Sequence, residues 1–290
     1  MPKHWRLRAA RILVAAITLG GCDSLLDPDA DRIRSQTIVT GGLIRTYDWA
    51  EPGGEGLHPV LLAFHGAGGN PTEYRQNSGL VDPATDAGYV VVFPQAANET
   101  ERTWAMGCAG CTQGDELGID DVAFVDALLD DLARRTSIDR SRVYVTGFSM
   151  GGWFSYAFAC QRSSAVKAIA PVGGLMPRPV AEQCAPVRPI GALVIFGDLD
   201  QTQPYGGRAG PYGLLGADSS AIFWSVAANC RVEIPDEVRA FGETAVRITE
   251  QTDCDGGVHV ERHRVVGMAH IWPSGRYDAT RELLRFFDAH

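Results

Sequence analysis

The sequence predicts an α/β fold: a single domain on a doubly wound, mostly parallel sheet. Three observations predict it. Short, largely apolar runs recur at residues 60–64, 89–93, 142–146, 166–170 and 193–196, the pattern of strands buried on both faces. Segments with helical spacing fall between them, and alternating strand and helix is what a parallel sheet with crossover connections requires. The 290 residues are 45% hydrophobic and 21% charged, which fits one large α/β domain and excludes wholesale disorder, collagen-like repeats and coiled coil.

In chain order, residues 1–11 carry Lys3, Arg6, Arg8 and Arg11 and no acid; residues 12–19 are almost wholly apolar, and Gly20-Gly21-Cys22 follows. A basic flank, a short apolar core and small residues at a cut form a secretory leader over residues 1–21, with a core too short to span a bilayer. Leu19-Gly20-Gly21-Cys22 resembles the lipobox of bacterial lipoproteins. That resemblance implies lipidation of Cys22, and contact with the membrane through the lipid anchor only. The expected location is extracytoplasmic, either secreted or anchored. Residues 22–35 read as a tether, leaving 36–290 as the folded domain.

Losing residues 1–21 removes four basic residues and no acid, which takes the net charge from −9 to −13. This acidic balance excludes a nucleic-acid partner and disfavours a polyanionic one. Six cysteines remain: Cys108, Cys111, Cys160, Cys184, Cys230 and Cys254. Outside the cytoplasm an even number reads as three disulfides, for which spacing alone leaves 15 pairings open. Cys108-x-x-Cys111 has no second pair and no histidine close by in sequence, so no metal is expected there.

Residues 37–39 and 43–49 alternate as a hairpin around Gly41-Gly42, and 52–57 form a glycine-rich turn. Residues 118–135 place Val122, Val125, Leu128, Leu129 and Leu132 at helical spacing. Residues 150–160 and 219–229 read as helices, 258–266 as a strand, and 276–288 as a last helix with Leu283, Leu284, Phe286 and Phe287.

The chemistry is expected at the strand ends. Gly147-Phe148-Ser149-Met150-Gly151 stands between a buried strand and a helix, the context of a nucleophile elbow. The turn is tight enough that residues two positions from the serine must lack side chains, and it presents the hydroxyl at a helix N-terminus. A serine needs a base, and the base needs an orienting acid. Among the later histidines, His259 and His263 lie in a strand pattern and read as packing or surface residues, and His290 reads as a frayed terminus. His270 falls between a strand and the last helix, where a base belongs. Asp198 and Asp200 both follow strand 193–196, and spacing does not choose between them. For an oxyanion hole, the expected donors are the Met150 and Ala67 N–H groups, with Gly66 and Gly68 shaping the loop and His65 structural. Trp272 and Trp104 are candidate substrate-binding walls, with packing the competing role, favoured for Trp104.

Taken together, these stretches resemble the secreted esterase family that includes polyhydroxybutyrate depolymerases and feruloyl or acetylxylan esterases. The matching stretches run from Arg45-x-Tyr47 through His65-Gly66, residues 90–94, 118–124, 142–152 and 196–205 to 267–273. The resemblance implies the α/β-hydrolase fold and selects Asp200 over Asp198 as the acid beside His270. It also implies a Cys230–Cys254 bridge, with Cys108 and Cys111 pairing with Cys160 and Cys184 in some order. The chain departs from the family pattern at Ala269, Ile271, Ser274 and Phe196-Gly197-Asp198, positions that bear on substrate choice.

The expected activity is that of a serine carboxylic-ester hydrolase using Ser149, His270 and Asp200, without cofactor or metal. Its substrate would be a small-molecule, polyester or polysaccharide ester. Two alternatives come from other classes: a cell-surface acyltransferase with the same triad, and a non-catalytic surface lipoprotein. The sequence does not fix an oligomeric state.

Overall fold

The computed structural model describes residues 29–97, 101–210 and 213–290. The expected leader over residues 1–21 and the expected lipidation site Cys22 lie outside the described residues. The strands are β1 (Arg34–Thr40), β2 (Leu43–Ala50), β3 (His58–Phe64), β4 (Val90–Pro94), β5 (Ile138–Phe148), β6 (Val166–Val172), β7 (Gly191–Gly197), β8 (Val232–Phe241), β9 (Thr244–Thr252) and β10 (Val260–Val265). The helices are α1 (Pro71–Ser78), α2 (Val81–Asp86), α3 (Gln113–Glu116), α4 (Asp121–Arg135), α5 (Met150–Gln161), α6 (Arg178–Gln183), α7 (Ala217–Ala227) and α8 (Ala279–Asp288). The sheet runs β1-β2-β4-β3-β5-β6-β7-β10-β9-β8. Its middle, from β4 to β10, is parallel throughout, and an antiparallel hairpin flanks each side. This is the mostly parallel, helix-flanked sheet expected from the strand–helix alternation, and it has the α/β-hydrolase architecture that the esterase resemblance implies.

Period-2 alternation splits the core into two layers. Val60, Leu62 and Phe64 of β3 pack with Leu128 and Leu132 of α4, Phe154 and Phe158 of α5 and Trp224 of α7. Leu61 and Ala63 face the other side, against Tyr74 of α1, Ala84 of α2 and Leu283, Phe286 and Phe287 of α8. Caps fix where the amphipathic helices begin. Asp120 accepts from Ala123 N and starts α4, and Asp278 accepts from Thr280 N and Arg281 N and starts α8.

A buried ion pair locks the sheet to the loops above it. Arg45 of β2 donates to Asp121 at 2.5 Å and to the Gln95 carbonyl at 3.0 Å, and its guanidinium lies 3.7 Å over the Phe124 ring. The second Asp121 oxygen accepts from Ala105 N at 2.7 Å. Burial pushes Arg45 down and Asp121 up, and each partner opposes the other's shift.

The structure corrects four expectations. The β8–β9 hairpin is absent from the sequence reading because β8 is an exposed edge strand carrying charges and Pro235, with a register shift between Ile234 and Glu237. Residues 29–35 are not all tether: β1 starts at Arg34, and Arg32 donates to Asp82 and Thr85 of α2. His290 is not frayed, since it donates to the Phe286 carbonyl, accepts from His259 N and stacks on His259.

The fourth correction concerns the bridges. Cys230–Cys254 forms as expected, but Cys108 pairs with Cys111, and Cys160 with Cys184. The 106–108 backbone wraps the Asp115 carboxylate, and Cys111 N donates to the Cys108 carbonyl, a turn that brings these two sulfurs together. Cys160, near the end of α5, instead meets Cys184 at the end of α6, with Cα atoms 5.1 Å apart.

Candidate active site

The elbow is built as its sequence demands. Ser149 joins β5 to α5 with φ 55° and ψ −117°, a conformation that costs an L-residue about 1–3 kcal/mol. A Cβ at Gly147 would sit 2.3 Å from the Gly151 carbonyl, and one at Gly151 would sit 2.0 Å from the Phe64 carbonyl oxygen. Only glycine fits at either position. Ser149 N donates to the Val172 carbonyl of β6, which fixes the turn over the middle of the sheet.

The ends of β7 and β10 bring acid and base together. His270 Nδ1–H donates to Asp200 Oδ2 at 2.5 Å, an assignment of the proton that follows from its partner. Asp200 is buried, and its other oxygen accepts from Thr202 N at 2.9 Å and Gln203 N at 2.8 Å. Asp198, left open by spacing, binds Gly267 N at 2.7 Å and Arg264 at 3.2 Å. It therefore fastens the loop that carries the histidine. The His270 ring lies 4.8 Å from the Phe148 ring, and a side chain on Gly173, at φ 59°, would crowd Phe148 at 3.1 Å.

Ser149 Oγ accepts from Gln203 Nε2 at 3.1 Å. Among the described residues no hydrogen bond joins this hydroxyl to His270, although both line the same cavity. Gln203 was not singled out from sequence. Its signal was modest: a polar residue three positions after the acid, on the same strand-end loop.

The loop after β3 supplies the opposite wall. A Cβ on Gly66 would lie 3.4 Å from Ser149 Cβ, and Ala67 lines the cavity. Among the described residues, neither the Ala67 N–H nor the Met150 N–H donates to a protein acceptor. His65 is buried and structural: Nδ1–H donates to the Gly66 carbonyl at 2.7 Å, and Nε2 accepts from Ala96 N at 3.2 Å. Burial pushes its imidazole down to about 4, so the ring is neutral at pH 7.

The two tryptophans differ. Trp272 lines the cavity with Tyr74 and Phe148, held by Nε1–H donating to Thr280 Oγ1. Trp104 is fully buried, stacks on Phe154 and donates to the His65 carbonyl at 2.8 Å. It supports the loop from behind and forms no wall of the cavity. The cavity measures about 690 Å³, with Asn70, Glu73 and Asn77 adding polar lining and Ile271 an apolar edge.

The remaining histidines stand elsewhere. His263 is fully buried between Tyr277 and Glu261, and His259 binds the other Glu261 oxygen. Burial alone would raise the Glu261 carboxyl, but hydrogen bonds from His259, His263 and Arg285 hold it well below the usual range. Two groupings have metal-ligand spacing among the described residues: Cys108, Cys111 and Asp115, and Glu250, His259 and Glu261. The first two cysteines are bonded to each other, and the Glu261 oxygens are taken by Arg285 and the two histidines. Among the described residues no helix is long and apolar enough to cross a membrane.

Residues 46–208 match the model of the dienelactone hydrolase family. "Putative esterase NocK" of Nocardia uniformis subsp. tsuyamanensis is 30% identical over 269 residues, covering 84% of this chain and 75% of that protein. Feruloyl esterase B of Piromyces equi is 25% identical over 232 residues, covering 77% of this chain but 41% of that longer protein. The acetyl xylan esterase from Aspergillus awamori superposes with a TM-score of 0.59 over 89% of this chain and 100% of that one, at 13% identity, a likeness of fold. The resemblance to esterases read from the sequence motifs therefore holds, and the chain, an esterase, belongs to the dienelactone hydrolase family.

Proposed function

We propose that this esterase is a serine carboxylic-ester hydrolase of the feruloyl esterase or polyhydroxybutyrate depolymerase type, working outside the cytoplasm through Ser149, His270 and Asp200. The observation that carries the reading is the His270–Asp200 hydrogen bond in the wall of the cavity into which the strained Ser149 elbow opens.

Asp200 holds the imidazole with Nδ1 protonated, which leaves Nε2 to take a proton. Among the described residues the Ser149 hydroxyl only accepts, from Gln203, so its own proton is free to pass to His270. As that proton leaves, Oγ bonds to the ester carbonyl carbon. The Ala67 and Met150 N–H groups, unspent on acceptors among the described residues, meet the charge that develops on the carbonyl oxygen. His270 then gives its proton to the departing alcohol, and water repeats the sequence to release the acid.

Support for an extracytoplasmic site comes from the leader with its Cys22 lipobox and from three disulfides. The aromatic lining from Tyr74, Phe148 and Trp272, with polar groups beside it, suits the acyl group of a small-molecule or polysaccharide ester better than a bare aliphatic one. The test is a panel of p-nitrophenyl acyl esters, methyl ferulate, acetylxylan and hydroxybutyrate oligomers. Faster turnover of ring-bearing acyl groups supports the assignment. Hydrolysis restricted to hydroxybutyrate oligomers would narrow it to the depolymerase type, and no hydrolysis of any of them would contradict it.

A further inference from the structure

Gln203 holds an unusual position. It is 3% exposed, and its side chain touches three separate elements. Its Oε1 accepts from Trp153 Nε1 of α5 at 2.8 Å and from Leu175 N, after β6, at 3.2 Å. An amide oxygen is the only end of a glutamine that can accept two N–H donors, so these contacts fix which end is which. Nε2 is thereby turned toward Ser149 Oγ, 3.1 Å away. The Gln203 backbone N–H binds Asp200 Oδ1, so the same residue touches both the acid and the nucleophile.

We propose that Gln203 is a catalytic donor to the nucleophile: its amide N–H holds Ser149 Oγ in place and stabilises the negative charge that builds on that oxygen as its proton passes to His270. The proposal rests on the triad reading above. No covalent change occurs at Gln203. The serine O–H bond breaks toward His270 Nε2, the Oγ–carbonyl carbon bond forms, the carbonyl π electrons move to its oxygen, and the amide keeps both its protons. A preorganised, buried donor aimed at developing charge is the arrangement that lowers such a barrier. A merely structural tether would need the Trp153 and Leu175 contacts alone.

Two substitutions separate these roles. Gln203→Glu keeps the length, the plane and an oxygen for Trp153 and Leu175, but replaces the donor with a carboxylate oxygen. Gln203→Met keeps the bulk and supplies neither donor nor acceptor. The readouts are the rate at which a fluorophosphonate labels Ser149, kcat and KM on one p-nitrophenyl ester, the pH profile of kcat, and thermal melting. The labelling rate and kcat of Gln203→Glu are expected to fall about tenfold to a hundredfold at pH 8 with KM little changed. Relative to wild type at the same pH, both should recover on acidification, as the carboxyl gains a proton and can donate again, a relative recovery absent from Gln203→Met. If Gln203→Met fails to fold, the Gln203→Glu profile still decides. Labelling of Gln203→Glu at the wild-type rate, or a loss that tracks its melting temperature with no pH recovery, would overturn the proposal. Wild type that is not labelled at Ser149 would instead overturn the triad reading beneath it.

Discussion

Asp200 and His270 meet at 2.5 Å, while Asp198, two residues earlier on the same strand end, is committed to Gly267 and Arg264. One carboxylate faces the imidazole and the other anchors the loop that delivers it. Asp200→Asn should lower kcat by about 10⁴-fold while leaving the fold intact, because the imidazole then loses its orienting acceptor. Asp198→Ala should instead cost only about 0.5–1.5 kcal/mol of stability, because water can take the acceptor's place at the exposed Gly267 N–H, with a far smaller loss of kcat. Steady-state kinetics and urea melts on both variants check the division; equal losses of kcat would contradict it.

The Arg45–Asp121 pair is buried and touches the Gln95 and Ala105 backbone. Asp121→Ala should destabilise by about 3–5 kcal/mol, since it leaves a guanidinium buried without a partner. Arg45→Met combined with Asp121→Leu should cost less than either single change. Urea unfolding of the three variants measures the coupling.

His65 links stability to pH. Its folded value of about 4 lies below the ordinary 6.5, so the unfolded chain binds the proton first. The penalty begins as pH falls through about 6.5 and is complete near 4, at about 3 kcal/mol in all. Urea midpoints at a series of pH values should fall across this window. His65→Asn should flatten that part of the slope, and an unchanged slope would show that another group is responsible.

The Cys160–Cys184 bridge spans 24 residues and joins α5 to α6, so replacing both cysteines with serine should cost about 3 kcal/mol by the loop-entropy estimate. The Cys108–Cys111 bridge closes only 3 residues and should matter less. Peptide mapping without reduction should recover Cys108 and Cys111 linked within one short segment; a Cys108–Cys160 or Cys111–Cys184 peptide would contradict the pairing.

What was legible in the sequence was what local sterics and buried alternation dictate. Gly147 and Gly151 announce the elbow because no side chain fits at either place, and the parallel strands announce themselves because both faces are covered. What was not legible depended on packing between distant segments. Asp198 and Asp200 share a strand end, and motif resemblance rather than spacing separated them. The partner of Cys160 depends on where α6 lies, and α6 is a 6-residue helix without a periodic signal. β8 escaped notice because it is exposed and charged. Gln203 escaped because its orientation is set by Trp153 and Leu175, which come from elements remote in sequence.

The central claim is that Ser149 forms the acyl-enzyme. Its most direct test is intact-mass and peptide analysis after a brief reaction with p-nitrophenyl acetate, on wild type and Ser149→Ala. The prediction is a transient acetyl adduct on the peptide containing Ser149, with both adduct and hydrolysis lost in the variant. An adduct on another residue, or hydrolysis that persists in Ser149→Ala, would contradict it.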